Sequence, residues 1–265
     1  MSLLRVENLT VEFSDRSGGP KKILLEKISL EVGEAEILAL VGESGSGKTM
    51  TALSILNLLP AGCRITGGRI FWKEQEIGKG GPKDWELLRG GQIGLIFQDP
   101  LTAFNPVRTI GSQIQEVLEI HFHMSPRAAW QRGRDFLARV HLAEPEKIVS
   151  RYSFELSGGQ LQRCAIALTM AAEPRLLIAD EPTTALDVIT QNKIISLLKE
   201  IYGRFGTSIL FISHDLALVK RLAQRVAVMQ AGEVVETGPV EKIFLNPEKN
   251  YTRQLVESIP VLRRF

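Results

Sequence analysis

The sequence predicts an α/β fold: a mostly parallel sheet covered by helices, with an N-terminal antiparallel β subdomain and an inserted helical subdomain. Three observations carry this expectation. Strand-like segments dominate the chain up to Trp72, helical signals fill Asp99–Leu156, and strand and helix alternate from Ser157 onward.

In the first stretch, Leu4–Phe13 reads as a strand in which Val11 and Phe13 alternate with polar neighbours. Ile28–Glu31, Glu36–Val41 and Arg69–Trp72 follow as strands, and SDRSGGPKK (Ser14–Lys22) is a turn-rich excursion between the first two. Ile37–Val41 is a continuous apolar run bounded by glycine, the pattern of a strand buried on both faces, and it leads through a glycine-rich segment to an apolar helix over Thr51–Leu59. In the middle stretch Ile110, Ile114, Val117 and Leu118 share one helix face. Ser125-Pro126 reads as an N-cap followed by proline at the first helical position, and Trp130, Leu137 and Val140 recur at near-helical spacing. Beyond it come a helix over Ser157–Ala172 stopped by Pro174, a buried strand Leu176–Ala179, and a helix Val188–Phe205 ending near Gly206. Strand Ser208–Ser213, helix Asp215–Ala223 and strand Arg225–Met229 complete the alternation; Lys242–Phe265 reads as short helices broken at Pro247 and Pro260. The organisation expected is one domain: a core from 1–98 and 157–240, a helical subdomain over 99–156 and a helical tail over 241–265.

Composition narrows the function. Of 265 residues, 44% are hydrophobic and 23% charged, the balance of a globular protein with a sizeable core. Lys+Arg 32 against Asp+Glu 30 gives a net charge of +2, without the excess of base that a nucleic-acid-coating protein carries. Cys63 and Cys164 stand far apart with no companion at metal spacing, so buried reduced thiols are expected. Arg5, Glu7 and Glu12 interrupt what would have to be the apolar core of a signal peptide, and no apolar run approaches the ~18–20 residues of a membrane span.

The strongest motif is GESGSGKT, Gly42–Thr49, placed between a strand and a helix as a phosphate-binding loop requires. Its glycines let successive backbone N–H groups turn toward phosphate oxygens, Lys48 supplies a point charge for the β- and γ-phosphates, and Thr49 offers a hydroxyl to Mg²⁺. In LLIADEP, Asp180 and Glu181 stand where an apolar strand ends, the place where parallel α/β sheets bind ligands. Asp180 suits Mg²⁺ and Glu181 suits polarisation of the water that attacks the γ-phosphate; alone, the pair reads rather as a solvated strand end, and the preceding phosphate loop reverses that.

Together with LSGGQ (Leu156–Gln160), these motifs resemble the ATP-binding-cassette (ABC) ATPases along nearly the whole chain. Gln98 resembles that family's Q-loop, Ala185-Leu186-Asp187 its D-loop and His214 its switch histidine, all in family order. The resemblance implies a P-loop NTPase core that binds ATP and Mg²⁺. It implies that Gly42, Glu43, Ser44, Gly45, Ser46, Gly47, Lys48, Thr49 and Met50 hold ATP, with Phe13 at the position on which adenine stacks; a strand phenylalanine equally suits the core. Thr49, Gln98 and Asp180 are the implied Mg²⁺ residues, and Glu181, His214 and Gln98 the catalytic ones. Ser157, Gly158, Gly159 and Gln160 would grip ATP held by a second ATPase subunit, and Asp187 would couple the paired sites.

Within the family, QDPLTAFNP (Gln98–Pro106), IADEPTTALDV (Ile178–Val188) and NPEKNYTRQLVESIP resemble ATPase subunits of dipeptide, oligopeptide and nickel importers. That implies two membrane permease subunits, an extracytoplasmic substrate-binding protein, no nucleic-acid partner and a peripheral place on the cytoplasmic membrane face. Lys249-Asn250 replaces the usual His-Pro, and Phe154-Glu155 together with the short tail shifts the expected cargo toward nickel or a metal complex rather than a peptide. Leu101, Phe104 and Pro106 are candidates for contact with the permeases or, equally, for internal packing. His121-x-His123 has strand spacing in helical surroundings and is read as surface, not as a metal site. A non-transport ABC ATPase of DNA repair or translation is the competing reading, disfavoured because tandem cassettes, coiled coils or zinc modules have no room here.

Overall fold

A computed structural model describes residues 2–15, 21–78 and 82–259. The elements run β1 (Ser2–Phe13), β2 (Lys22–Gly33), β3 (Ile37–Val41), α1 (Lys48–Ile55), β4 (Cys63–Trp72), β5 (Gln75–Glu76), α2 (Pro82–Leu88) and β6 (Ile93–Ile96). The helical stretch holds α3 (Ile110–Phe122), α4 (Pro126–Arg139) and α5 (Pro145–Ile148), followed by α6 (Gly158–Met170), β7 (Leu176–Asp180) and α7 (Val188–Phe205). The chain closes with β8 (Ser208–Ser213), α8 (Leu216–Leu222), β9 (Arg225–Gln230), β10 (Glu233–Pro239), α9 (Val240–Leu245) and α10 (Asn250–Glu257). Its contacts fall into two compact units, Met1–Gly81 with Ser208–Phe265, and Pro82–Thr207.

The first unit carries an antiparallel sheet in the order β2-β1-β4-β5. Leu4, Val6, Leu9 and Val11 of β1 are buried; the alternation changes phase between Val6 and Leu9, where the register shifts at Asn8 with its left-handed φ of 49°. Beside it, β3 lies between β8 and β9 and runs parallel to both, while β10 pairs antiparallel with β9. Every residue of β3 and β8 is buried, which is why both read as continuous apolar runs. The register sets Val41 opposite both Ser213 and Val228, so the segments following β3 and β8 leave the same edge of the sheet. In the second unit β6 and β7 pair in parallel, Ile96 opposite Ala179, and helices α3, α4 and α6 pack together around Ile114, Leu118, Phe136 and Leu137.

Several expected boundaries move. Helix α1 begins at Lys48, not Thr51, and stops at Ile55 rather than Leu59, because Asn57 takes a left-handed φ of 50° and Pro60 follows. Strands β2 and β4 begin at Lys22 and Cys63, well before Ile28 and Arg69. Strand β10 and helix α2 have no counterpart in the sequence reading: EVVETGP mixes strand formers with a glycine and a proline that mask it. Residues 16–20 of the SDRSGGPKK excursion and the break expected at Pro260 lie outside the described residues.

Strand β10 also holds a buried acid that ties down the C-terminal helices. Glu236 is 8% exposed, and the backbone N–H groups of Glu248 and Lys249 donate to its carboxylate at 2.9 and 3.1 Å. Burial alone would raise its pKa; the Glu248 N–H, the Thr252 hydroxyl, the Lys249 N–H and the Lys242 charge together outweigh it and hold the carboxyl below the ordinary glutamate range. A carboxyl whose pKa is lower folded than unfolded stabilises the fold above its unfolded pKa, and the contribution is lost as pH falls through the folded value. Wild type should therefore melt above Glu236→Gln at neutral pH, with the gap beginning to close as pH falls below about 4, where the unfolded-state carboxyl takes up its proton, and gone once pH has passed the lower folded value. Calorimetry across that range checks this, and a gap independent of pH would refute it.

Candidate functional site

The Gly42–Thr49 loop is built against its own unit. A Cβ on Gly42 would lie 2.2 Å from the Met229 carbonyl oxygen and 2.7 Å from Ser46 Oγ, so only glycine lets β3 turn there. The Ser46 N–H donates to the Glu43 carbonyl at 3.2 Å, and the Gly232 N–H, from the β9–β10 turn, donates to the Ser46 carbonyl at 2.9 Å. Lys48 is 5% exposed, and its ammonium donates to the carbonyls of Gly42 at 2.8 Å and Glu43 at 2.9 Å. Those carbonyls compensate the burial of a cation and park it inside the loop. The first-turn N–H groups of α1 have no acceptor within the helix, and the helix end carries partial positive charge. A glycine-rich loop at a helix N-terminus with an ammonium parked inside it is a receptor for a polyanion.

Around this loop, Glu43, Ser44, Gly45 and Thr49 are exposed, Ser46 is buried, and Gly47 and Met50 are half-buried. His214 is exposed immediately after β8, and Ser213 Oγ accepts the Asp215 N–H at 2.9 Å, which shapes that turn. Phe13, at the end of β1, is 38% exposed and not a core residue, so the packing alternative for it falls away. Tyr251, on α10, lies in the NPEKNYTRQLVESIP segment, to which the sequence assigned no site role: its hydroxyl oxygen accepts the Glu43 N–H at 3.2 Å. A partner 208 positions away leaves no local signal.

In the second unit β7 delivers the acidic pair. Asp180 ends the strand at 5% exposure; Glu181 follows with a left-handed φ of 45°, an uncommon conformation for a residue with a side chain. One carboxylate oxygen of Glu181 accepts Thr184 Oγ1 at 2.9 Å and Gln98 Nε2 at 3.4 Å. The structure brings Gln98 and Glu181 together, and adds Thr184, three residues on, as a hydroxyl that fixes the carboxylate.

Ser157 caps α6: its hydroxyl accepts the Gln160 N–H at 3.4 Å, while Gln160 Oε1 accepts the Ser157 N–H at 3.0 Å, a reciprocal capping box. The Gln160 side chain is thereby turned back on its own helix, and the exposed residues at this end are Ser157 and Gly158. A Cβ on Gly159 would sit 2.5 Å from Thr190 Cγ2, so the start of α6 rests on the start of α7. Asp187 caps α7, accepting the Thr190 hydroxyl at 2.7 Å and the Thr190 N–H at 3.0 Å, and these bonds hold its carboxyl below the ordinary aspartate range.

The remaining candidates separate by burial. Phe104 is 6% exposed and packs within its unit, so of the three contact candidates only Leu101 and Pro106 are exposed. His121 lies in the last turn of α3 beside Gly90 and Gly91, its pKa lowered by burial, and His123 takes the left-handed cap. Cys164 is fully buried with its thiol pushed up to about 12 by desolvation; Cys63 is half-buried, contrary to the expectation of two buried thiols. No helix among the described residues is long and apolar enough to cross a membrane.

Comparison with known proteins agrees with this arrangement. A family model described as ABC transporter matches residues 25–184. The oligopeptide transport ATP-binding protein OppD of Bacillus subtilis is 43% identical over 98% of this chain and 72% of its own length. The peptidoglycan transport ATP-binding protein YejF of Agrobacterium fabrum is 44% identical over 97% of this chain, which spans 47% of that relative. Among solved structures, the dimeric ATP-binding cassette MJ0796 with ADP and phosphate superposes with a TM-score of 0.79 at 26% identity, covering 89% of this chain and 98% of the cassette. The fold is that of a P-loop NTPase.

The loop geometry predicts a graded response to added methyl groups. Gly42→Ala must displace the Met229 backbone and should abolish binding of a fluorescent ATP analogue and lower the melting temperature. Gly45→Ala meets nothing within 4 Å and carries only the strain of its φ of 81°, about 1–2 kcal/mol, so binding should weaken but persist. Equal effects of the two substitutions would contradict the close approach at Gly42.

Proposed function

The chain belongs to the ABC transporter family, and we propose that it is the ATP-hydrolysing subunit of a peptide importer. The observation that carries the reading is the Gly42–Thr49 loop, with Lys48 held inside it at the start of α1. Backbone N–H groups of Gly45, Gly47, Lys48 and Thr49 bind the β- and γ-phosphates, and Lys48 exchanges its carbonyl partners for phosphate oxygens. Phe13, exposed at the end of β1, offers a face to adenine. Thr49, Asp180 and Gln98 offer hydroxyl, carboxylate and amide oxygen, the hard donors that suit Mg²⁺, which would offset phosphate charge.

Glu181, oriented by Thr184 and Gln98, takes a proton from the attacking water as its oxygen bonds to the γ-phosphorus; the bond to the β-bridging oxygen breaks and ADP leaves with phosphate. His214 contacts the γ-phosphate. Ser157, Gly158 and Gly159, at the N-terminus of α6, bind the γ-phosphate of ATP held by a second ATPase subunit, with Gln160 bracing that turn and Asp187 linking the paired sites. Loss of the γ-phosphate removes the shared ligand and lets the pair part.

Two permease subunits and an extracytoplasmic binding protein complete the assembly, with this subunit peripheral on the cytoplasmic face and no nucleic acid involved. Peptide cargo is favoured by relatives named for oligopeptide transport; a nickel or metal-complex cargo rests on the Phe154-Glu155 resemblance. Cells lacking the subunit should lose uptake of a labelled small peptide; loss of radioactive nickel uptake instead would assign the metal.

Glu181→Gln should bind ATP normally and hydrolyse it ~10²–10⁴-fold more slowly, accumulating ATP-dependent dimers in size-exclusion chromatography. Unchanged turnover would remove Glu181 from its role. Lys48→Ala should lose the attraction for the β- and γ-phosphates and weaken ATP affinity by roughly tenfold or more in a fluorescence titration, since a charged hydrogen bond contributes about 1.5–3 kcal/mol. Wild-type affinity in that variant would contradict the loop assignment.

A further inference from the structure

We propose that Tyr251 is a positioning residue for the phosphate loop, making the C-terminal helix α10 a brace whose order and nucleotide affinity are coupled. The inference rests on the nucleotide-binding reading above and adds a residue and a segment to it.

The peptide units around Glu43 are held from both sides. The Glu43 carbonyl accepts the Lys48 ammonium at 2.9 Å and the Ser46 N–H at 3.2 Å, both internal to the loop. The Glu43 N–H points the other way and donates to the Tyr251 hydroxyl at 3.2 Å. Glu43 is itself exposed, so no packing around its side chain fixes this peptide; Lys48 holds its carbonyl end at Gly42 and the tyrosine holds its N–H end. Tyr251 is placed in turn by the buried acid of β10. Glu236 accepts the N–H groups of Glu248 and Lys249, the residues just before α10, and Thr252 next to Tyr251 is fully buried. Lys242 and Glu248 pair at 2.5 Å and close the turn between α9 and α10.

A chain of contacts therefore runs from Glu236 through Glu248 and Lys249 to Tyr251 and the loop. The β9–β10 turn grips the same loop through Gly232, so β10 and the helix it anchors both act on Gly42–Thr49. A loop held in its binding shape before the ligand arrives loses less conformational freedom on binding. Thermodynamic linkage makes the effect reciprocal: a nucleotide that favours the braced loop must stabilise α10 to the same degree.

The test uses the full chain and a fluorescent ATP analogue. Tyr251→Phe keeps the ring and deletes the acceptor; it should raise Kd roughly three- to tenfold, the range for one net hydrogen bond, with the melting temperature unchanged. KM should rise in proportion while kcat stays within about twofold, because uniform binding is what is lost. Glu236→Gln, which does not touch the loop, should weaken binding less, and adding it to Tyr251→Phe should cost nothing further, as expected for residues acting through one contact. In hydrogen exchange, ADP should protect 248–257 in wild type and fail to do so in Tyr251→Phe. If wild type binds the analogue and Tyr251→Phe binds it equally well, the brace is refuted while the nucleotide site stands. Additive losses in the double variant would also refute it; absence of binding by wild type would overturn both.

Discussion

A loop that binds a triphosphate must point its N–H groups inward before the ligand is there, and that shape is costly for a chain to hold. Here it is held by contacts that each leave one solution: a glycine where β3 ends against the Met229 carbonyl, a carbonyl of Ser46 fixed by the β9–β10 turn, and a lysine parked on the carbonyls of Gly42 and Glu43. The parallel pairing of β3 with β8 and β9 puts Val41, Ser213 and Val228 level, so the sheet presents the loop and His214 at one edge. Every residue of β3 and β8 is buried, so the strands that carry the loop and His214 are covered on both faces.

The second unit solves a different problem, the placement of charge. Glu181 is driven into a left-handed conformation just beyond β7, and Thr184 and Gln98 then hold one of its carboxylate oxygens. The strain at Glu181 is offset by burial of all of Leu176–Asp180. At the start of α6 the reciprocal cap of Ser157 and Gln160 fixes a helix end with no side chain at Gly158 or Gly159, and Thr190 allows none at Gly159. Asp187, tied to Thr190, joins that end to α7.

Much of this was legible in the sequence because it is local. GESGSGKT between an apolar run and a helix, ADEP at the end of another run, and LSGGQ opening an amphipathic helix each place backbone and chemistry within a few residues. What escaped is long-range or masked. Strand β10 carries a buried glutamate, a glycine and a proline, and becomes a strand only because β9 and the N–H groups of Glu248 and Lys249 satisfy it. Helix α1 ended early because Asn57 turns left-handed, which apolar periodicity cannot see. Leu101 and Phe104 read alike in the sequence, suited equally to contact and to packing, and only tertiary structure decides that Phe104 is the buried one. Tyr251 meets Glu43 across nearly the whole chain, a contact no motif encodes.

The most direct measurement of the central claim is amide proton–nitrogen correlation spectroscopy of the chain titrated with ATP and Mg²⁺. The amide protons of Gly45, Gly47, Lys48 and Thr49 should move downfield and saturate together as they donate to phosphate oxygens. Saturable shifts elsewhere, with those loop resonances unmoved, would contradict the account.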